Sequence, residues 1–232
     1  MSPQTKSRQR IRDHGEVFTA EREVKAMCDL VKDECDRIDS RFLEPACGNG
    51  NFLAEILMRK LATVKKLYKS NPYDYERYAV LAVTSIYGVE ILADNAEECR
   101  KRLFALWDKE YTTICKKSAN DETREAVRYI LSKNILCGNA LTLMCVDENQ
   151  KDTDKPIVFP EWSLLGTKLK RRDFRLDVML KAGDKAKAEQ ASLFDDEETG
   201  KYLSVNPTTG EYMAEPICEY PPVHYRKVQE NG

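Results

Sequence analysis

The stretch FLEPACGNGNFL, residues 42–53, constrains the fold more than any other part of the chain. Apolar residues lead into an acid, a proline and two glycines, and an apolar pattern with helical spacing follows. Gly48 and Gly50 allow the backbone to turn sharply and to approach a ligand closely. The helix that follows would offer unpaired N–H groups to an anionic group. We therefore expect a strand, a ligand-binding loop and a helix, in that order.

The remaining hydrophobic pattern predicts an α/β fold. Strands are predicted over 41–46, 85–91 and 134–141. The first helix is predicted to follow Thr19 as its N-cap, and the others are predicted over 51–68, over 74–84 with Asp74 as N-cap, along Leu92 to Leu106 and over 121–132. Strands that alternate with helices pair in parallel through right-handed crossovers. The pattern thus predicts half of a doubly wound, Rossmann-like sheet.

Three polar features would meet at one edge of this sheet. The glycine loop, Glu90 and Asn139 each lie at the carboxyl end of a predicted strand. Ligands of doubly wound sheets bind in the crevice outside these ends. The coincidence of all three predicts a single ligand site.

The residues around the loop separate two classes of ligand. A dinucleotide fingerprint has a third glycine and an acid about 20 residues later, whereas here Leu53 takes the third position and the next acid at a strand end is Glu90. Glu44 would repel a pyrophosphate but attract the ammonium and sulfonium groups of S-adenosylmethionine. We expect S-adenosylmethionine, and a tight turn that binds no ligand is the alternative.

Composition limits the partners and the compartment. A net charge of −2 argues against a protein that binds nucleic acid without the help of a partner. The basic runs at 6–12 and 168–172 are interpreted as solvated surface. Eight cysteines without a C-x-x-C pair and two histidines do not provide zinc-ligand spacing, so no metal site is predicted. Free thiols predict a reducing cytoplasm. We expect no signal peptide, and no apolar run reaches the ~20 residues of a membrane span.

The pattern becomes irregular after residue 148. A polar linker, NQKDTDKP, comes first, a hairpin is predicted around 206–210, and Pro221-Pro222 predicts an extended tail. The predicted division is an N-terminal basic arm and helix (1–40), a Rossmann-like cofactor-binding domain (41–148) and an irregular C-terminal extension with a hairpin and an extended tail (149–232).

The sequence resembles the adenine-N6 DNA methyltransferases of restriction–modification systems over about residues 11–145. It is most similar to the group whose cofactor-binding half comes first, as in type I modification subunits and fused restriction–methylation enzymes. FLEPACGNGNFL is similar to the family's D/E-P-A-C-G-S/T-G loop, and DHGEVFTAEREVKAMCDLV resembles its opening segment. IYGVEI and ILCGNAL resemble the strands that hold the ribose and the adenine of the cofactor. The resemblance implies a class I S-adenosylmethionine-dependent methyltransferase fold.

The resemblance also implies roles for individual residues. Phe18 and Thr19 would flank the cofactor, and Glu90 would accept hydrogen bonds from two ribose hydroxyls. Asn139, where the family usually has Asp, would meet the adenine amino group through its side-chain oxygen, with Ala140 beside it. The methionine part of the cofactor would be held by Glu44, Ala46, Gly48, Asn49 and Gly50.

The catalytic motif of the family is missing. That motif, Asn/Asp-Pro-Pro-Tyr/Phe, follows the fourth strand and binds the flipped target base, and the 232 residues do not contain it. Asn206-Pro207-Thr208 and Tyr220-Pro221-Pro222-Val223 have the wrong residues and are interpreted as a turn and an extended tail. No catalytic residue is assigned. The resemblance implies a partner chain with the motif and a DNA-recognition domain, which would pair with the exposed edge of the incomplete sheet and bring double-stranded DNA to the complex.

Three hypotheses are open at this point. The chain is the cofactor-binding half of a split adenine methyltransferase that is inactive without its partner. Alternatively, it is a binding or regulatory protein that has lost catalysis and takes up the cofactor without a partner. In the third hypothesis it is a complete methyltransferase for another substrate, in which Glu161, Trp162 or Tyr220 has a new role.

Overall fold

The computed structural model describes Arg12 and residues 19–183, 201–208 and 210–231. The α-helices are α1 (Glu21–Leu30), α2 (Lys32–Asp36), α3 (Asn51–Tyr68), α4 (Pro72–Thr84), α5 (Ala93–Cys115), α6 (Asp121–Asn134) and α7 (Leu176–Gly183). The strands are β1 (Phe42–Glu44), β2 (Ile86–Glu90), β3 (Ile135–Asn139), β4 (Met144–Val146), β5 (Asp152–Pro156), β6 (Val158–Leu165), β7 (Lys168–Arg175), β8 (Leu203–Val205), β9 (Tyr212–Ala214) and β10 (Cys218–His224). Two 3-10 helices span Lys116–Ser118 and Tyr225–Glu230.

The main sheet has five strands in the order β1-β2-β3-β4-β5. β1 pairs in parallel with β2, and β2 pairs in parallel with β3, as the sequence predicts. β4 and β5 then add antiparallel to their neighbours, so the sheet is mixed. The reversal follows Asn139, whose carbonyl accepts a hydrogen bond from the N–H of Leu143 at 2.8 Å. The α/β class is confirmed, and β4 and β5 extend the sheet with two antiparallel strands that the sequence did not predict. The Rossmann-like class I fold stays a prediction.

Two predicted N-caps are wrong, by one residue in α1 and by three residues in α4. Ala20, and not Thr19, is the N-cap of α1, and its side chain makes no capping bond. α4 begins at Pro72 because the Asn71 side chain accepts a hydrogen bond from the N–H of Tyr73. Proline fits the first helical position, where its missing N–H costs nothing. The start therefore lies ahead of the predicted Asp74.

The prediction of an irregular C-terminal extension is wrong. β6, β7 and β10 form a three-stranded antiparallel sheet in the order β10-β7-β6. The predicted tail is therefore mostly a paired edge strand, and its register shifts between Tyr220 and Val223. The two intervening prolines have no N–H to donate, and an edge position with a bulge tolerates this. The predicted hairpin is confirmed, since β8 and β9 pair antiparallel.

The basic run at 168–172 is not simply solvated surface. It lies on β7, the central strand of the small sheet, where side chains alternate between faces. Arg171 is buried and donates from Nε and from a terminal nitrogen to the two carboxylate oxygens of Asp173, both at 2.7 Å. Its guanidinium also lies 4.4 Å from the centre of the Tyr220 ring. This pairing offsets the cost of burying the charge.

Residues on both sides of the predicted boundary at 148 pack into one core. The Trp162 indole N–H donates to the side-chain oxygen of Asn134 at 2.9 Å, and both residues are buried. Further along, the Tyr225 hydroxyl donates to the buried Glu76 carboxylate. The three-part division of the chain stays a prediction. The predicted basic arm, apart from Arg12, lies outside the described residues.

None of the helices in the described part of the chain is long and apolar enough to cross a membrane.

Candidate cofactor-binding site

A cleft of about 420 Å³ opens at the carboxyl ends of the three parallel strands. It is lined by Thr19, Met27, Glu44, Pro45, Ala46, Cys47, Gly48, Asn49, Asn51, Phe52, Glu90, Ile91, Leu92, Asn95, Gly138, Asn139 and Ala140. The glycine loop after β1, the end of β2 and the end of β3 thus meet in one place. Among the described residues, the lining contains two carboxylates and neither Lys nor Arg.

Most of the residues proposed from the sequence lie together in this cleft. The lining includes Thr19, Glu44, Ala46, Gly48, Asn49, Glu90, Asn139 and Ala140. Gly50 is not part of the lining and lies at the base of the loop, as the N-cap of α3. Phe18 lies outside the described residues.

The two glycines of the loop adopt backbone conformations that other residues avoid. Gly48 has a φ of 52° and Gly50 a φ of 83°, both in the left-handed region. The N–H of Gly50 donates to the carbonyl of Cys47 at 2.8 Å and closes the turn. A Cβ on Gly50 would lie 2.6 Å from the sulfur of Cys99 on α5. The loop therefore requires glycine at this position for its dihedral angles and for packing.

Glu90 fastens the loop to the end of β2. One carboxylate oxygen accepts from the N–H of Gly48 at 2.8 Å, and the other accepts from the N–H of Leu92 at 2.9 Å. The residue is 7% exposed. Each carboxylate oxygen can accept more than one hydrogen bond, so capacity remains for two hydroxyl donors. Glu90 thus shapes the cleft as well as lining it, a role that sequence reasoning did not predict.

Glu44 is half-buried at the mouth of the loop. Loss of solvation raises the pKa of its carboxyl, and a hydrogen bond from the Ala46 backbone only partly opposes the shift. A cation placed beside this carboxylate would favour the ionised form. The site is therefore suited to a positively charged group.

Asn49 has an unused acceptor in the same loop. The residue is 8% exposed, and its side-chain oxygen is buried without a hydrogen-bond partner. Nearby, the first turn of α3 has N–H groups without intrahelical acceptors, and no side chain caps them. An amino acid group, with an ammonium to donate and a carboxylate to accept, matches these two features. The residues present therefore fit the methionine part of S-adenosylmethionine.

Asn139 lies at the far end of the cleft with both side-chain atoms engaged. Its oxygen accepts from the N–H of Leu141 at 3.0 Å, and its nitrogen donates to the carboxylate of Asp152 at 3.1 Å. These two contacts fix which atom of the amide faces the turn. The oxygen keeps a second lone pair that can accept from an adenine amino group.

Sequence reasoning missed several lining residues that come from helices. Met27 of α1 reaches the cleft and is 51% exposed. Asn95 of α5 is buried in the lining. Asn51 links Thr19 to α5, since its side-chain nitrogen donates to the Thr19 carbonyl at 3.1 Å and its side-chain oxygen accepts from Arg102. The position of Asn51 directly after the second glycine could have indicated its role.

The residues of the third hypothesis have structural contacts away from this cleft. Trp162 bonds to Asn134, Tyr220 lies under Arg171, and Glu161 accepts from Arg41 at 3.1 Å. None of the three belongs to the described lining.

One family model matches the chain. It is described as the DNA-methyltransferase domain of MmeI, and it matches residues 19–193. No match was found among curated proteins or among solved structures. The matched region holds the described lining of the cleft. The resemblance to restriction–modification DNA methyltransferases is thereby confirmed. The match covers well over half of the residues of the chain, so the chain belongs to the MmeI DNA-methyltransferase domain family.

Proposed function

We propose that the chain is the S-adenosylmethionine-binding part of a DNA adenine-N6 methyltransferase of a restriction–modification or related defence system. The cleft at the three strand ends carries this proposal, because it combines two carboxylates, an unpaired buried amide oxygen and an uncapped helix start. When bound, S-adenosylmethionine would supply the methyl group of its sulfonium for transfer to an adenine amino group, with S-adenosylhomocysteine and a proton as the other products.

The chain would position the cofactor and would not itself activate the base. Glu44 and Asn49 would hold the ammonium, and the first turn of α3 would receive the carboxylate. Glu90 would bind the ribose hydroxyls, and Asn139 would bind the adenine of the cofactor. Such positioning lowers the barrier by orienting the reacting atoms.

The proposal includes a partner chain. The 232 residues contain no Asn/Asp-Pro-Pro-aromatic sequence. The catalytic motif and the DNA-recognition domain would lie outside these residues, and a partner chain is the source that we propose. Double-stranded DNA would bind through that complex, which agrees with the net charge of −2 on this chain. All eight cysteines are free thiols, which supports a reducing cytoplasm as the compartment.

A reconstitution assay tests the proposal. The chain is mixed with the product of an adjacent reading frame that carries Asn-Pro-Pro-Tyr or Asn-Pro-Pro-Phe, with duplex DNA and with S-adenosylmethionine labelled on its methyl group. We expect label in N6-methyladenine from the mixture and from neither component alone. Gly48→Asp should abolish transfer, and the exposed control Glu97→Gln should retain it. Label in another base, or full activity with Gly48→Asp, would contradict the proposal.

A further inference from the structure

A carboxylate outside the cleft engages the amide that lines its far end. The side-chain nitrogen of Asn139 donates to the carboxylate of Asp152 at 3.1 Å, and the Asn139 side-chain oxygen accepts from the N–H of Leu141 at 3.0 Å. Asn139 belongs to the described lining of the cleft, whereas Asp152 does not. Asp152 lies on β5, one of the two antiparallel strands that extend the main sheet. A residue that does not line the cleft thus contacts one that does.

The two contacts favour a single orientation of the Asn139 amide. If the amide were turned over, its nitrogen would face the N–H of Leu141 and its oxygen would face the carboxylate of Asp152. The first contact would place two donors together, and the second would place two acceptors together. Both contacts therefore oppose the turned orientation. The nitrogen stays committed to Asp152, so the oxygen is the atom of this amide that can bind a ligand.

The hairpin of β4 and β5 fixes the position of Asp152. The turn before it is closed by the carboxylate of Asp147, which accepts from the N–H of Lys151 at 3.0 Å. Directly after it, the hydroxyl of Thr153 donates to the carbonyl of Cys145 on β4 at 2.8 Å. The carboxylate is therefore presented to the amide by backbone that is held on both sides.

The same hairpin is packed against the end of β3. Directly after β5, the N–H of Ile157 donates to the carbonyl of Leu143 at 2.8 Å. The Ile157 side chain is fully buried, and a Cβ added to Gly138 would lie 2.8 Å from its Cδ1 atom. Gly138 directly precedes Asn139 in the sequence. Close packing thus holds the hairpin at a defined distance from the residue that lines the cleft.

The carboxylate of Asp152 places a negative charge behind the amide. Among the described residues, Asn139 is the hydrogen-bond partner of this carboxylate, and no Lys or Arg forms an ion pair with it. Hydrogen bonds in a chain polarise one another. Donation by the Asn139 nitrogen therefore increases the negative charge on the conjugated Asn139 oxygen. This makes the oxygen a stronger acceptor for an N–H group of a ligand.

We propose that Asp152 is a positioning residue for the adenine of the cofactor and that it acts through Asn139. The inference rests on the proposed function, which supplies the cofactor. The Asn139 oxygen, oriented and polarised by Asp152, would accept from the exocyclic amino group of adenine. Hypoxanthine has a carbonyl oxygen in place of that amino group, and two acceptors would then face each other. The pair would therefore select a purine with an amino group over one with a carbonyl.

An exchange of the two side chains tests the inference. In Asn139→Asp alone, two carboxylates would face each other, and like charges repel. In Asp152→Asn alone, the contact can form but the charge is lost. The double variant has one carboxylate and one amide again, with the donor and the acceptor interchanged. The matched control is Asp154→Asn, because Asp154 is exposed on the same strand and lies outside the described lining. Thermal unfolding establishes that each variant is folded.

Calorimetry measures the affinity of each variant for S-adenosylmethionine. We expect binding to weaken by about tenfold or more in Asn139→Asp and by about threefold or more in Asp152→Asn, since a hydrogen bond that involves a charged group is lost or weakened. The double variant should bind more tightly than Asn139→Asp, and Asp154→Asn should bind as the parent does. Parental affinity in either single variant, or no recovery in the double variant, overturns the inference.

The preference for adenine is the second readout, which a merely structural role of Asp152 would not change. The parent and Asp152→Ala are titrated with S-adenosylhomocysteine and with its deaminated form, in which hypoxanthine replaces adenine. We expect the parent to prefer the adenine form and Asp152→Ala to show a smaller preference, because one of the two contacts that orient the amide is gone. An equal preference in both proteins overturns the inference.

The same titrations separate a failure of the inference from a failure of the proposed function. If the parent binds S-adenosylmethionine and the substitutions at Asp152 change neither affinity nor preference, the inference alone is wrong. If the parent binds neither S-adenosylmethionine nor S-adenosylhomocysteine, the proposed function is contradicted and the role of Asp152 is contradicted with it.

Discussion

At the scale of single residues, the cleft is organised by Glu90. Its carboxylate bonds to the backbone of the glycine loop and to the turn after β2, so the loop position depends on this side chain. Hydrogen bonds to charged groups each contribute ~1.5–3 kcal/mol. The residue therefore has a structural role and a proposed ligand role in the same place.

We expect Glu90→Gln to weaken S-adenosylmethionine binding by at least about tenfold, since an amide nitrogen cannot accept the hydrogen bonds that a carboxylate oxygen accepts. Calorimetric titration measures the change. The surface control is Glu97→Gln, in an ion pair with Lys101. Equal affinity of the parent and Glu90→Gln would remove Glu90 from the site.

Glu44 predicts a pH dependence of cofactor affinity. Its pKa is raised by burial in the free protein, and a bound cation favours the ionised form. Affinity should therefore be greatest above the raised pKa and should fall as the pH decreases through it toward the ordinary glutamate value of about 4.3. In Glu44→Gln the affinity should be weaker and should change less over this range. A parallel pH profile in parent and variant would exclude Glu44 as the titrating group.

Gly50 tests the packing of the loop. Gly50→Ala should lower the free energy of unfolding by more than the ~1–2 kcal/mol that the left-handed conformation alone costs, because the new Cβ would meet the sulfur of Cys99. The matched control is Gly166→Ala, which has a φ of 63° and open space around the new Cβ. Urea unfolding compares the two variants. Equal losses would mean that the contact with Cys99 imposes no constraint.

At the scale of elements, the sequence predicts best what depends on local pattern. The bounds of α3 follow from its apolar stripe and the glycines before it, and they agree with the structure. The C-terminal sheet depends on pairing between β7 and β10, which are far apart in the sequence. The sequence of β7 does not show an alternation of apolar and polar residues, because Arg171 and Arg175 occupy buried positions. Their hydrogen-bond partners lie on other elements or within the strand. Periodicity alone cannot identify such a buried arginine.

The last 3-10 helix is joined to the core through Glu76. This buried carboxylate accepts from Tyr111, Asn120, Tyr225 and Arg226, which belong to separate parts of the chain. Tyr225→Phe should lower the free energy of unfolding by ~1.5–3 kcal/mol, because a hydrogen bond to a buried charge is lost. Tyr73→Phe is the control, since Tyr73 is 69% exposed. If urea unfolding gives the same free energy of unfolding for the two variants, this contact does not stabilise the fold.

At the scale of the whole molecule, the cleft forms where the carboxyl ends of three parallel strands meet. Eight of the ten proposed site residues line the cleft because chain order alone places the three strand ends together. The antiparallel strands β4 and β5 were not predicted, since β4 has only three residues and β5 is polar, so neither carries a recognisable hydrophobic pattern.

The central claim is that the cleft binds S-adenosylmethionine, and calorimetric titration of the purified chain tests it most directly. The account predicts saturable binding by the parent, loss of binding by Gly48→Asp, which places bulk and charge in the loop, and parental binding by Glu97→Gln. The claim would be contradicted if the parent and Gly48→Asp gave the same heat of binding. It would also be contradicted if the parent bound no S-adenosylmethionine, either alone or with its partner.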